Sequence, residues 1–313
     1  MYIMTRAQKQ TDRPYRRTLT SNSVPCEVLP GTGHCGIRAD GGRCCTDDCE
    51  PPARWTGLME VRILGAHVTE IAGARPTALV IDETLALDAG SLCSGLTLED
   101  QRKLRAVLIT HYHYDHVKDL PMIGMNFAYY GCLDVYGSAA VFEALSTHLL
   151  DGKLYPNFLQ WPDPQPALKF IKLGEYESIT IAGYSVMALP VPHGVPTVGF
   201  HVTSPEGKSV FFTGDTAGGL SGCWEHISPG LFITEMSWPQ KMEPWARKTT
   251  HLSPQILKAD LEEFRRLKGY LPRTVLIHLD PAQESQVAAE VAEIARELDA
   301  SIALGREGMV VSV

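Results

Sequence analysis

The chain has 313 residues, 44% hydrophobic and 20% charged, the balance of an ordinary globular protein rather than a disordered or fibrous one. Its formal net charge of −8 makes it a poor generic partner for DNA or an anionic membrane, and it has no run of about 18 apolar residues that could serve as a membrane-spanning helix. A phosphate substrate stays open, because bound metal ions can supply positive charge locally.

The first 56 residues read as an extension. Arg6, Lys9, Arg13, Arg16 and Arg17 face a single Asp12 in a basic leader. Arg16-Arg17 hints at an export signal, but Thr18 to Ser23 are polar and no apolar segment follows. The leader therefore reads as a tail, and the protein as cytoplasmic. Cys26, Cys35, Cys44, Cys45 and Cys49 follow, with His34 among them. Three readings stay open: a structural zinc site with four of these groups in a tetrahedron, a disulfide-stapled loop, or incidental thiols. Cys93, Cys132 and Cys223 read as buried or inert thiols.

From about residue 57 the pattern becomes regular, and 57–313 reads as one domain. Strands are expected at 59–64, 77–81 and 85–87. A short helix at 98–104 has Thr97 as its N-cap and Asp100 three residues on. A buried strand at 105–109 precedes a helix at 117–128, in which Pro121 must sit near the first turn. A strand at 133–136, a helix at 139–150 and a proline-rich loop at 151–167 come next. Strands follow at 169–173, 178–181, 184–191, 198–203 and 209–213, the last two flanking a hairpin turn at Ser204–Lys208. The chain closes with a strand at 231–234, a helix at 255–267, a strand at 273–277, a helix at 285–298 and a strand at 309–313. Helices interspersed among strands suggest two sheets between helix layers.

Thr110-His111-Tyr112-His113-Tyr114-Asp115-His116 follows the buried strand and precedes a helix. Histidines two apart in an extended loop can point the same way and bind one ion, while Asp115 and His116 turn toward a second. With 11 histidines in the chain, His-x-His-x-Asp-His should arise by chance in about one such chain in a thousand.

This motif resembles the metallo-β-lactamase superfamily, which implies a four-layer αβ/βα sandwich with a dinuclear metal site at one edge of its sheets. Later segments extend the resemblance. His193 in Pro192-His193-Gly194, Asp215 in Thr213-Gly214-Asp215-Thr216, and His278 in Ile277-His278-Leu279 each follow an expected strand. The resemblance implies that His111, His113 and His193 hold one metal, that Asp115, His116 and His278 hold the other, and that Asp215 bridges them. Zinc is the default ion for so histidine-rich a set, with Mn and Fe also compatible. Asp88 fits the superfamily's carboxylate that supports the histidine loop.

A narrower likeness is carried by Thr250-His251-Leu252-Ser253-Pro254, Leu120-Pro121, Phe211–Thr216 and Glu235 after a strand. These strings are similar to those of class II 3′,5′-cyclic-nucleotide phosphodiesterases. That implies hydrolysis of a small phosphodiester to a 5′-monophosphate by hydroxide held between the two metals, with Asp115 and His251 catalytic and His251 as general acid. His251 also reads as a plain residue at a helix start, with Ser253 as N-cap and Pro254 in the first turn. Phe127, Tyr129, Tyr130 and Trp238 are candidates to stack on a base, although core packing is the preferred reading of each. A tRNA 3′-end ribonuclease, a lactonase or β-lactamase, and an inert binding module are the competing functions. Superfamily relatives often dimerise, which leaves a homodimer open.

Overall fold

The computed structural model describes residues 57–313. The basic leader and the Cys26, Cys35, Cys44, Cys45 and Cys49 group, with the zinc or disulfide expected of it, lie outside the described residues.

Two seven-stranded sheets stack face to face. In the first, β1 (Glu60–Gly65), β2 (Ala78–Ile81) and β3 (Leu85–Leu87) run antiparallel. Short helices α1 (Leu92–Gly95) and α2 (Leu98–Gln101) then lead to β4 (Ala106–Leu108), parallel to β3. Helices α3 (Tyr114–Val117) and α4 (Leu120–Phe127) precede β5 (Leu133–Gly137), and α5 (Ala139–Ala144) precedes β6 (Leu168–Lys172), both strands again parallel. The second sheet repeats this plan. An antiparallel meander, β7 (Ser178–Ile181), β8 (Tyr184–Val191), β9 (Thr197–Thr203) and β10 (Ser209–Phe212), gives way to parallel pairing. There α6 (Ser221–His226), β11 (Leu231–Glu235), α7 (Glu243–Thr249), α8 (Pro254–Lys268), β12 (Arg273–Ile277), α9 (Glu284–Glu297) and β13 (Ile302–Leu304) follow in turn. The last strand, β14 (Val310–Ser312), returns to pair with β1.

Strand alternation sorts the side chains into layers. Val61, Ile63, Leu79 and Ile81 from the first sheet meet Val186, Phe200, Phe212 and Val275 from the second in the central core. Val80, Val107, Leu120, Ile123 and Phe127 form one outer layer, and Phe211, Trp224, Phe232, Leu257 and Phe264 the other. This is the four-layer αβ/βα sandwich that the motif implied.

The expected helix over 117–128 is two helices. Asp119 interrupts it: its N–H donates to Ala89 O at 3.0 Å and its carboxylate accepts the Cys93 N–H at 2.7 Å, so the chain is pinned to the loop after β3. Pro121 then sits in the first turn of α4, where its missing N–H costs nothing. Over 139–150 the helix widens into a π turn at Leu145–Leu149. Helices α1, α6 and α7 and strand β13 are too short to show a hydrophobic period and were not expected. Burial pushes the thiols of Cys93 and Cys223 up to about 12, which keeps them inert. Among the described residues no helix is long and apolar enough to cross a membrane.

One half-buried carboxylate ties the closing loop of the domain to the segment after β1. Glu307 Oε1 accepts from His67 Nδ1 at 2.7 Å, Arg75 N at 2.8 Å and Ala66 N at 3.3 Å. The segment it holds pairs with the residue after His278, through Val68 N to Leu279 O and Leu279 N to Ala66 O. Burial opposes ionisation, but the His67 and Arg75 bonds bring the Glu307 carboxyl down to about 2. The Glu307 bond likewise raises His67 against burial. Glu307→Gln is therefore expected to lower stability near neutral pH by about 2 kcal/mol, the scale of a lost charge-assisted bond. The Glu307 contribution is complete above its ordinary value of 4.5 and is lost as pH falls through about 2. That of His67 is complete below its ordinary 6.5 and is lost as pH rises through its raised value. Urea denaturation of wild type and variant across this range would check both limbs; a pH-independent difference would contradict the assignment.

Candidate metal centre

Parallel strands bring their carboxyl ends to one edge of the sandwich, and the candidate residues follow those ends. Asp88 follows β3, His111 to His116 follow β4, Asp215 follows β10, and His278 follows β12. His193 follows the antiparallel β8 at the same edge, and Glu235 is the last residue of β11. Gly214 adopts a left-handed φ of 63°, and a Cβ there would lie 2.7 Å from Thr110 Oγ1, so only glycine lets Asp215 approach the β4 loop this closely. Asp88, Thr250 and His278 are also left-handed, at φ values of 56°, 59° and 58°. Each costs about 1–3 kcal/mol for a non-glycine residue, an expense that clusters at sites where side-chain placement matters.

The structure brings all seven expected ligands together in two groups. His111, His113, His193 and Asp215 each offer a donor atom within 4.8 Å of the others, and so do Asp115, His116 and His278. Asp215 lies between the groups: Oδ2 is 3.6 Å from His111 Nε2 and 3.4 Å from His278 Nε2, and Oδ1 is 3.2 Å from His116 Nε2. On the other side, His278 Nε2 is 3.1 Å from Asp115 Oδ2. Asp215, His251 and His278 form a third donor group that shares two members with the others.

The outer hydrogen bonds direct one nitrogen of three rings outward, those of His111, His116 and His193. Asp88, fully buried, accepts from His116 Nδ1 at 2.7 Å, which leaves His116 Nε2 facing Asp215. It also accepts the Thr110 hydroxyl at 2.9 Å, so the Thr110 oxygen receives the proton of His111 Nδ1 at 3.0 Å and His111 Nε2 is bare. The Thr250 carbonyl accepts from His193 Nδ1 at 2.9 Å, freeing His193 Nε2. His113 Nδ1 lies 2.9 Å from His111 Nε2 and 3.4 Å from His193 Nε2. Ring nitrogens thus converge on one another and on carboxylate oxygens. His116 Nε2 and Asp215 Oδ1 are buried and have no hydrogen-bond partner. Two buried atoms without a partner, among nitrogen and oxygen donors this close together, fit divalent metal ions.

The local electrostatics differ from ring to ring. Burial and the His116 charge push His111 well below the usual imidazole range, and burial lowers His113 and His193. His116 goes the other way: burial disfavours its charge, but Asp215, Asp88 and Asp115 outweigh it and raise it well above the ordinary value. Burial likewise opposes ionisation of Asp215 and Asp115, yet the neighbouring His116 and His278 hold both below the carboxylate range.

His251 stands at the rim. Its ring stacks on His278 with centroids 5.4 Å apart, and its Nδ1 is 2.7 Å from Glu235 Oε1. Burial disfavours the imidazolium, but the fully buried Glu235 carboxylate raises it to about 9. Glu235 also accepts the backbone N–H of Thr216, one residue past Asp215, at 2.9 Å. Ser253 does open α8, but its side chain does not cap it, so that plain reading of the segment describes Ser253 incompletely. A cleft of about 210 Å³ exposes the cluster; Val68, Ser237, Trp238 and Asp280 complete its walls.

Three of the four aromatic candidates are elsewhere. Phe127 is buried in the outer core, where its period-matched helical position puts it. Tyr130 lies under Arg102 at 4.1 Å and Tyr129 against Trp161 at 5.7 Å, neither of them in the cleft wall. Trp238 does line the cleft. Ser237, Thr250 and Asp280 were not singled out from sequence. Their one sequence signal is adjacency to Glu235, His251 and His278, which does not say where a side chain points.

Comparison with known proteins gives a family. The family model of the beta-lactamase superfamily domain matches residues 91–279, more than half of the chain. The crystal structure of the metallo-β-lactamase fold protein YhfI from Bacillus subtilis aligns at a TM-score of 0.67 and 18% identity, over 82% of this chain and 100% of that one. Unliganded yeast PDE1 aligns at 0.70 and 17% identity, over 82% and 99%. The short form of human tRNase Z aligns at 0.59 and 18% identity, over 81% and 99%. At these identities the likenesses speak for the fold alone. No curated protein matches the chain significantly. The family match, on this sandwich and around this donor cluster, establishes that the chain belongs to the beta-lactamase superfamily and shares the metallo-β-lactamase fold of its metal-dependent hydrolases.

Proposed function

We propose that the protein is a dinuclear metal-dependent phosphodiesterase that opens 3′,5′-cyclic nucleotides to 5′-monophosphates. The observation that carries this reading is His251, held by the buried Glu235 at the rim of the two donor groups. His111, His113 and His193 would hold one cation, Asp115, His116 and His278 the other, with Asp215 between them. The donor set favours zinc, and Mn or Fe satisfy it as well. When bound, the cations would supply Lewis acidity toward a phosphoryl group and activate water as the nucleophile.

The chain's own residues supply the rest. Opening a cyclic diester breaks the bond from phosphorus to the 3′-oxygen, a poor leaving group until it is protonated. His251 donates that proton, and Glu235 holds the ring by Nδ1 so that Nε2 faces the reaction. The Trp238 indole offers the base an apolar wall. The cleft carries Asp115, Asp215 and Asp280 and, among its lining residues, no lysine or arginine. Positive charge at the site then comes from the cations, which suits a singly charged diester better than a polyanion gripped by a basic surface. A small molecule is the substrate class, and RNA ends, lactones and β-lactams are the alternatives that the assay separates.

Zinc- or manganese-loaded protein is expected to convert 3′,5′-cyclic AMP to 5′-AMP, followed by chromatography, and Asp115→Ala to abolish the conversion. A loaded protein that leaves cyclic nucleotides intact would sink the substrate assignment. His251→Ala is expected to reduce kcat on the cyclic nucleotide by about 10²–10⁴. It should scarcely change turnover of bis(4-nitrophenyl) phosphate, whose leaving group needs no proton. Equal losses on both substrates would show that His251 is not the acid. Trp238→Ala is expected to raise KM for the cyclic nucleotide roughly tenfold with little change in kcat, the scale of one lost stacking contact; an unchanged KM would remove Trp238 from the base site.

A further inference from the structure

We infer that Ser237 is a positioning residue: it relays the charge of Glu235 to His278, fixes the proton of His278 on Nδ1, and thereby sets the affinity of the second metal position. The inference rests on the reading of His278 as a ligand, but not on the choice of substrate.

The argument is one of proton bookkeeping. A serine hydroxyl has one proton to give. The Ser237 oxygen lies 2.7 Å from Glu235 Oε2, 3.0 Å from His278 Nδ1, 3.3 Å from the His278 carbonyl and 3.4 Å from His251 Nδ1. The carboxylate is the nearest of these and the only charged acceptor, so it takes the proton. The Ser237 oxygen is then left as an acceptor, and the atom placed to donate to it is His278 Nδ1. With its proton held there, His278 presents a bare Nε2, the atom 3.1 Å from Asp115 Oδ2 and 3.4 Å from Asp215 Oδ2. The opposite tautomer would set two lone pairs against each other at Nδ1 and aim a hydrogen into the metal position.

The first half of the chain contains the same device. There the buried Asp88 accepts directly from His116 and, through the Thr110 hydroxyl, serves His111. In the second half the buried Glu235 accepts directly from His251 and, through the Ser237 hydroxyl, serves His278. Two buried carboxylates thus orient four imidazoles, each using one direct bond and one hydroxyl. The second relay differs in one respect: its directly bound histidine is the proposed acid rather than a ligand. Ser237 therefore joins metal binding to the orientation of the acid through a single carboxylate.

The test is stepwise zinc binding, measured by competition with a chelator and by metal analysis, on wild type and three variants. Ser237→Ala should weaken the second zinc equivalent about 10–100-fold, the range for losing an outer hydrogen bond to a ligand, and leave the first within about threefold. Ser237→Thr keeps the hydroxyl and should restore wild-type affinity, while the isosteric Ser237→Val should not. Any packing cost of branching is common to that pair, so their ratio decides the matter even if Ser237→Ala folds poorly. In the zinc-loaded wild type, proton–nitrogen NMR should show a His278 Nδ1 proton protected from solvent exchange, and this protection should vanish in Ser237→Val. Equal second-site affinities for the Thr and Val variants, or an unaltered Nδ1 proton in both, would overturn the inference. A wild type that takes up only one zinc would instead overturn the reading of the ligand set.

Discussion

A histidine can offer a lone pair to a cation only if its other ring nitrogen has somewhere to leave its proton. At this site that condition is met by groups that never reach the cluster interior. Asp88, Thr110 and the Thr250 carbonyl orient three rings from outside. The nitrogens and carboxylates so directed face one another, and His116 Nε2 and Asp215 Oδ1 are buried without a hydrogen-bond partner. The arrangement is one the surrounding fold must hold in place. A scaffold that relaxed would bring these atoms into ordinary hydrogen bonds and lose the metal position.

The sandwich can enforce it because each donor sits within a few residues of a buried strand. Parallel pairing aligns the carboxyl ends of β3 and β4 in one sheet and of β10, β11 and β12 in the other. The strands are buried on both faces, so their ends cannot drift without opening two layers of core. The left-handed backbone at Asp88, Thr250 and His278 shows where that rigidity is drawn upon. Glu307 adds a clamp from the far end of the sequence, tying the segment that pairs beside His278 to the closing loop.

Much of this was legible in the sequence, for reasons that also mark where legibility ends. The strands showed because their residues alternate or run apolar, and the turn between β9 and β10 because its glycine adopts a left-handed φ. His111 to His116 showed because four donor groups fall within six residues. His193, Asp215 and His278 were placed by resemblance, in strand-end positions that the structure reproduces. Ser237 did not show: its partner His278 is 41 residues away, and a serine two residues past a strand has no signature. Thr250 acts on His193 through a backbone carbonyl 57 residues distant, and no side-chain pattern encodes that. Phe127 lies in the core, the reading preferred for it over a base contact, although helical spacing and aromatic character serve a core and a binding wall alike. The break before α4 arises from Asp119 binding a loop that sequence separates from it by about 30 residues.

The donor groups and the outer relays do different things for function. On the proposed reading, the seven donors and Asp88 prepare a metal position that many hydrolyses could use. Discrimination among substrates has to come from residues that face the reacting group without holding metal: His251, Trp238 and Asp280 at the cleft wall. Of these, His251 alone is tied to the platform, through Glu235, which also accepts the Thr216 N–H beside Asp215. A single buried carboxylate therefore aligns the acid with the ligand next to it in the chain. A chain that kept the metal position but lost Glu235 would hold its cations in a disturbed frame and present a histidine with no fixed direction. If His251 is the acid proposed here, the carboxylate that would make protonation of a leaving alkoxide feasible would also limit how far that side of the site can change without disturbing the donor cluster.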